Sequence, residues 1–229
     1  MKYIYTKTLL LFLTVSLFSC GFDNFEEPKS QLSGQVEYNG QPLGLKGTQG
    51  SVQLQLYQDG YAFKNPLPLF VGQDGKFEAK LFDGTYKLVT RDQNGPWVNT
   101  RDTTTVEVRG NTSIKFEVTP FFTISNAKAS LSGSTLTGSC NIAKIVNTAE
   151  LSYVRLYING TSFVDENTNL IGVNVEELSM GTVSFNYDLS TLNEDQKRTY
   201  NNYKGVYARF AVRSQNADQA IYSDVIKLK

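Results

Sequence analysis

The chain has 229 residues, with 22 basic and 22 acidic side chains and no histidine. That balance leaves no electrostatic footprint for nucleic acid as a partner. Without imidazole, Ser-His-Asp and Cys-His catalysis are excluded and the commonest metal ligand is missing.

Lys2 and Lys7 precede an apolar run, Leu9 to Phe18. The run is too short for a bilayer span of ~20 residues. It suits a signal-peptide core of about 7–15 residues. Leu17-Phe18-Ser19-Cys20 resembles a bacterial lipobox, with Phe18 bulkier than the usual pattern has at its place. The resemblance implies that residues 1–19 are a signal peptide and that Cys20 is the lipidated residue of the mature N-terminus. The alternative is a plain secretory peptide with an incidental cysteine. Without the first 19 residues the chain keeps 20 basic against 22 acidic groups. Cys140 is then alone, and no disulfide framework exists. Residues 20–30 read as a tether, crowded by Asp23, Glu26 and Glu27, with Pro28 blocking a helix. Acids just after a lipidated cysteine resemble the surface-export signal of Bacteroidetes-type lipoproteins. A solvated linker is the other reading.

From residue 31 to residue 119 apolar and polar residues alternate with period two, which predicts strands with one wet face. Val52, Leu54 and Leu56 make one such face; Phe77, Ala79 and Leu81 a second; Ile114, Phe116 and Val118 a third. Asn39-Gly40, Asp59-Gly60, Asp74-Gly75 and Asp83-Gly84 punctuate them as turns tolerant of positive φ. Leu32-Ser33-Gly34-Gln35-Val36, Asn39-Gly40-Gln41-Pro42-Leu43, Asp74-Gly75-Lys76-Phe77 and Asp83-Gly84-Thr85-Tyr86-Lys87-Leu88 follow in order. This half resembles the carboxypeptidase-regulatory-like, transthyretin-type β-sandwich, a resemblance that implies no catalysis.

Thr119-Pro120 looks like a boundary, and residues 120–229 carry a second strand set. Val154, Leu156 and Ile158 alternate with Tyr153, Arg155 and Tyr157. Val183, Phe185, Tyr187 and Leu189 form another strand. Thr191-Leu192-Asn193-Glu194 is a capping-box pattern that predicts a short helix to about Tyr200. Val206, Ala208, Phe210 and Val212 alternate with Tyr207, Arg209 and Arg213, and Ile221 to Leu228 closes the chain. This half resembles an immunoglobulin or fibronectin-type sandwich. The fold expected is therefore all-β, two β-sandwich domains after a signal peptide and tether.

The whole layout resembles a family of accessory surface lipoproteins of Bacteroidetes. The resemblance implies an outer-membrane, lipid-anchored, cell-surface protein. Its implied partners are a SusC-like TonB-dependent barrel and a SusD-like lipoprotein that import glycans or peptides. With no histidine and no deep cleft expected of two small sandwiches, no cofactor, metal or enzymatic activity is expected.

Two sets of residues are candidates for binding. Tyr153, Arg155 and Tyr157 with Tyr207, Arg209 and Arg213 would form one outward aromatic–cationic patch if their strands are neighbours. Such a patch would suit a partner protein, or serve only to stabilise the sheet surface. Trp97, the only tryptophan, lies in a loop with Asn94 and Asn99. An exposed indole among amides would stack on glycan or peptide; the alternative is a tryptophan folded over its own core or against the second domain. Asp165, Asn167, Asn169 and Glu176 have the spacing of a calcium loop. Leu170 stands where that loop needs glycine, so an ordinary polar loop is expected. Cys140, with no base beside it, is expected in a strand core.

Overall fold

The computed structural model describes residues 26–48, 50–60 and 65–229. The signal peptide, Cys20 and most of the tether lie outside the described residues. The first half holds β1 (Ser30–Tyr38), β2 (Gln41–Pro42), β3 (Gln53–Gln58), β4 (Leu67–Phe70), β5 (Lys76–Leu81), β6 (Gly84–Thr90), β7 (Thr104–Val108) and β8 (Asn111–Glu117). One sheet sets β1 antiparallel to β2 and β5 and parallel to β8. The other runs β4-β3-β6-β7. Leu32, Val36, Phe77 and Phe116 of the first sheet are buried, as are Leu54, Leu56, Leu69 and Leu88 of the second. Leu54, Leu56, Phe77 and Phe116 are among the residues the period-two pattern placed on one face, so burial follows the pleat there.

Asn39 and Gly40 take φ of 49° and 71°, as a two-residue hairpin between β1 and β2 requires. Gly84 differs from the expectation of a positive-φ turn. It opens β6, and its missing side chain admits the Gln58 amide, which would lie 2.8 Å from a Cβ there.

The second half holds β9 (Phe122–Ser132), β10 (Thr135–Lys144), β11 (Leu151–Asn159), β12 (Ile171–Asn174), β13 (Gly181–Asp188), β14 (Tyr207–Ser214), β15 (Ile221–Tyr222) and β16 (Ile226–Lys227). A three-stranded sheet, β13-β10-β9, faces a five-stranded one, in which β12, β11 and β14 lie side by side. β15 and β16 share the far edge of β14. The closing strand expected as one piece is thus two, separated at Ser223, whose hydroxyl accepts from the Phe210 amide. Cys140 sits buried on β10, and burial pushes its thiol up to about 12.

The helix α1 (Glu194–Asn201) starts later than the expected cap. Asp188 caps a short 3-10 turn, Leu189–Thr191, and the Thr191 hydroxyl donates to the Asp188 carbonyl. Asn193 and Gln196 then form the capping box, with bonds of 2.9 and 3.1 Å.

The junction between the halves is strapped. Val98 donates to the Thr119 carbonyl and Phe121 to the Pro96 carbonyl, at 2.9 and 3.0 Å. One apolar cluster continues from Leu32 through Trp97 and Phe122 to Ile221.

Candidate functional site at the domain junction

β11 and β14 are neighbours, as the expected patch required. Tyr153 pairs with Arg213 and Tyr157 with Arg209. The patch is nevertheless not outward as a whole. Arg209 is 1% exposed, covered by the first domain, and Tyr157 is 3% exposed, packed among second-domain residues. Alternation tells which side chains share a face; it does not tell whether a second domain lies on that face. Tyr157, Val164, Ala211, Ala220 and Tyr222 form a small apolar cluster there.

Arg209 crosses the junction. It donates to the carbonyls of Ser223 (2.7 Å), Leu45 (2.9 Å) and Gln73 (2.7 Å), and its guanidinium lies 4.7 Å from the Tyr222 ring centroid. Burial pulls its pKa down to about 10, which leaves it charged at neutral pH. Carbonyl dipoles and an aromatic face thus hold a cation that has no carboxylate in contact among the described residues. Gly44 makes the approach feasible: a Cβ there would lie 2.3 Å from the Tyr222 carbonyl oxygen and 3.0 Å from Arg209 Nη2.

The remaining patch residues are half-buried. Arg155 lies over Tyr153 at 4.4 Å and donates to Asn174, Tyr153 donates to Glu166 at 3.1 Å, and Arg213 donates to the Ala217 carbonyl. Tyr207 packs beside the apolar cluster.

The expected polar loop is a second strut. Asp165, 1% exposed, accepts from the Thr48 amide and hydroxyl across the junction and from the amides of Asn167 and Thr168 within its own loop. Asn169 closes the loop by donating to the Asp165 and Glu166 carbonyls. Lys46 meets Glu166 at 2.9 Å, and Gln219 donates to the Gly50 carbonyl. Among the described residues no group of three or more acidic or sulfur ligands could hold a metal.

Trp97, Asn94 and Asn99 do come together, in a cleft of about 620 Å³ that both domains line. That volume lies within the range of small-molecule sites, roughly 300–1,000 Å³. The exposed stacking platform is corrected: Trp97 is 3% exposed, with its indole packed on the core and under Gly95. A Cβ on Gly95 would lie 2.5 Å from Trp97 Cε2, so the loop backbone lies directly on the ring. Trp97 Nε1 is buried and has no acceptor among the described residues.

Asn94 accepts from the Gln53 amide at 2.6 Å, which leaves its own amide group free to donate. Asn99 bonds Thr90 and Asp92, and Asp92 also meets Arg101. Phe121, Asn216 and Asp218 complete the cleft from the second domain. Asn216 and Asp218 are exposed. Sequence reasoning missed these three. Gln215-Asn216-Ala217-Asp218 reads as an ordinary polar turn, and only the docking of the domains brings it to Trp97.

Two β-sandwiches fixed into one unit over a shared polar cleft define the class of protein. Residues 30–119 match the DUF3823 N-terminal domain model, described as a protein of unknown function, and residues 122–227 match the DUF3823_C domain of unknown function. The chain belongs to the DUF3823 family. A DUF3823 family protein of Parabacteroides merdae is 46% identical, covers 89% of this chain and 100% of its own, and superposes with a TM-score of 0.83. A second, from Bacteroides ovatus, is 30% identical over 87% of this chain and 98% of its own, with a TM-score of 0.77. A Bacteroides uniformis protein put forward as a carbohydrate binding protein shares the fold at 14% identity, 88% and 99% coverage and a TM-score of 0.71. Among curated protein sequences none matches.

Proposed function

We propose that this protein binds carbohydrate in the junctional cleft, without catalysis, as a lipoprotein held in the outer membrane through Cys20. The observation that carries the reading is the cleft itself. It joins the half-buried ring of Phe121, beside the buried Trp97, to hydrogen-bonding groups of Asn94, Asn216 and Asp218 that have no protein partner among the described residues. Sugars present the same mixture, with apolar ring faces and closely spaced hydroxyls. The fold shared with the Bacteroides uniformis protein supports the same ligand class. Asp92 is already engaged by Arg101 and Asn99, which disfavours it as half of a hydrolytic acid pair.

The lipobox-like Leu17 to Cys20 supports the membrane address. In this reading the protein is an accessory of a SusC/SusD-type importer and holds a glycan close to the barrel. Confinement to one membrane raises the effective concentration, so weak binding suffices. The covered Arg209 face moves the weight from docking toward ligand capture.

Trp97 as the sole tryptophan makes the test direct. Titrating the full chain in mild detergent with a panel of soluble plant and host glycans is expected to give a saturable change in its emission. Asn216→Ala with Asp218→Ala should weaken binding about tenfold or more. Saturation by peptides and by no glycan would overturn the ligand class. A glycan response untouched by the double variant would overturn the site.

A further inference from the structure

We propose that Arg209 is the positioning residue of the cleft: it fixes the spacing between the Asn94 side, on the first domain, and the Asn216–Asp218 side, on the second. The affinity part of this inference rests on the carbohydrate reading; the geometric part does not.

The covalent link between the domains is short, and its strap at Pro96–Val98 lies at the cleft floor. A floor strap alone leaves rotation about itself open. Arg209 supplies a further fixed point, beside the contacts of Thr48 with Asp165, Lys46 with Glu166 and Gln219 with Gly50 and the Tyr222 amide bonded to the Gly44 carbonyl. It grips two separate loops of the first domain, at Leu45 and Gln73, while its Nε is tied to Ser223 of its own domain. The planar fork sends three bonds in fixed directions, which a lysine ammonium cannot reproduce. Leu45 itself donates to the Gln73 carbonyl at 3.0 Å, so the two gripped loops are already joined and move as one. β14 carries the grip to the cleft, because the strand that holds Arg209 ends at Ser214, whose hydroxyl accepts from the Asn216 amide. A displacement at Arg209 is therefore passed along one rigid strand to the residues on the second domain's side.

The test reads geometry and affinity separately. Spin labels at Asn111→Cys and Lys128→Cys, both exposed and one on each domain, report the interdomain distance. Arg209→Met keeps much of the side-chain volume and removes the fork; replacing a buried charge by an apolar chain is often tolerated by the fold. Gly44→Ala leaves Arg209 in place and wedges the adjoining Gly44–Tyr222 backbone contact, with its Cβ 2.3 Å from the Tyr222 carbonyl oxygen and 3.0 Å from Arg209 Nη2, so it loosens the same seam from the other domain if R209M does not fold. Both variants are expected to broaden the distance distribution and to weaken glycan binding about tenfold, while the thermal unfolding of Gly44→Ala stays cooperative. A distance distribution as narrow as the parent's in both variants overturns the inference. Broadened distances with unchanged glycan affinity overturn the positioning role and leave carbohydrate binding standing. If the parent chain binds no glycan, the carbohydrate reading fails and the distances alone decide whether Arg209 sets the spacing.

Discussion

The two faces of β14 are both buried, yet different chemistry holds each. Ala208, Phe210 and Val212 point into the second sandwich and belong to the large apolar cluster. Arg209 and Ala211 point the other way, where Ala211 joins an apolar cluster with Tyr222 and Arg209 lies against the Tyr222 ring and reaches carbonyls of the first domain. The first face is closed by the hydrophobic effect, which is proportional to area and indifferent to direction. The second is closed by hydrogen bonds, which are directional and lose most when one partner is removed. The inner face therefore governs whether the second domain folds, and the outer face governs how the two domains sit.

Phe210→Ala is the largest test of that division. Phe210 is fully buried, packs on Phe185 at 5.4 Å between centroids and lies close over Gly138, 3.0 Å from where a Cβ there would stand. The cavity should cost about 3–5 kcal/mol. Chemical denaturation should show the midpoint falling for the whole chain, because one apolar cluster spans both domains. A separate early transition confined to the second half would break the view of one cooperative unit.

Asp165→Ala comes next and acts on the outer side. It removes the acceptor for the Thr48 hydroxyl and three backbone amides, those of Thr48, Asn167 and Thr168. Stranded buried donors cost about 1–3 kcal/mol each before relaxation, and water entering the loosened loop recovers part of that. Stability should fall by roughly 2 kcal/mol. Amide hydrogen exchange should speed up around residues 48 and 165–168 while β10 and β13 keep their protection. Equal acceleration in β10 would show that the two faces are not separable.

Much of this arrangement was legible in sequence, and the part that was not has one cause. Period-two alternation gave Leu54, Leu56, Val154, Leu156 and Phe185 their buried faces, because a pleat fixes which residues share a side. That β11 and β14 are neighbours followed only from the resemblance to an immunoglobulin-type sandwich, and the structure pairs them. Alternation failed for β9, where Ala127, Ala129 and Leu131 alternate among serines and lysine too weakly to register. It failed again wherever a second domain covers a polar face. Arg209 looks like a surface residue because it alternates with the apolar Ala208 and Phe210, and Asp165 because it lies in a polar loop; their partners across the junction lie more than 100 positions away. The cleft is the same problem in reverse. Trp97, Asn94 and Asn99 announced one wall through their loop composition, while Asn216 and Asp218 carry no local signal at all.

Thr48→Val sharpens the comparison with the smallest change. Valine matches threonine in shape, so packing against the Asp165 loop is kept and only the hydroxyl donor is lost; the backbone amide still reaches the carboxylate at 3.2 Å. A hydrogen bond to a charged group contributes about 1.5–3 kcal/mol, less here because the Asp165 carboxylate keeps three amide donors. The expected loss is therefore near 1 kcal/mol. Combined with Asp165→Ala, the second substitution should cost almost nothing, since the bond it would remove is already gone. That non-additivity is what a direct bond across the junction requires. A double variant whose stability is the plain sum of the two single losses would mean that Thr48 and Asp165 contribute through separate neighbours, and that the polar face is a set of independent contacts rather than one strut.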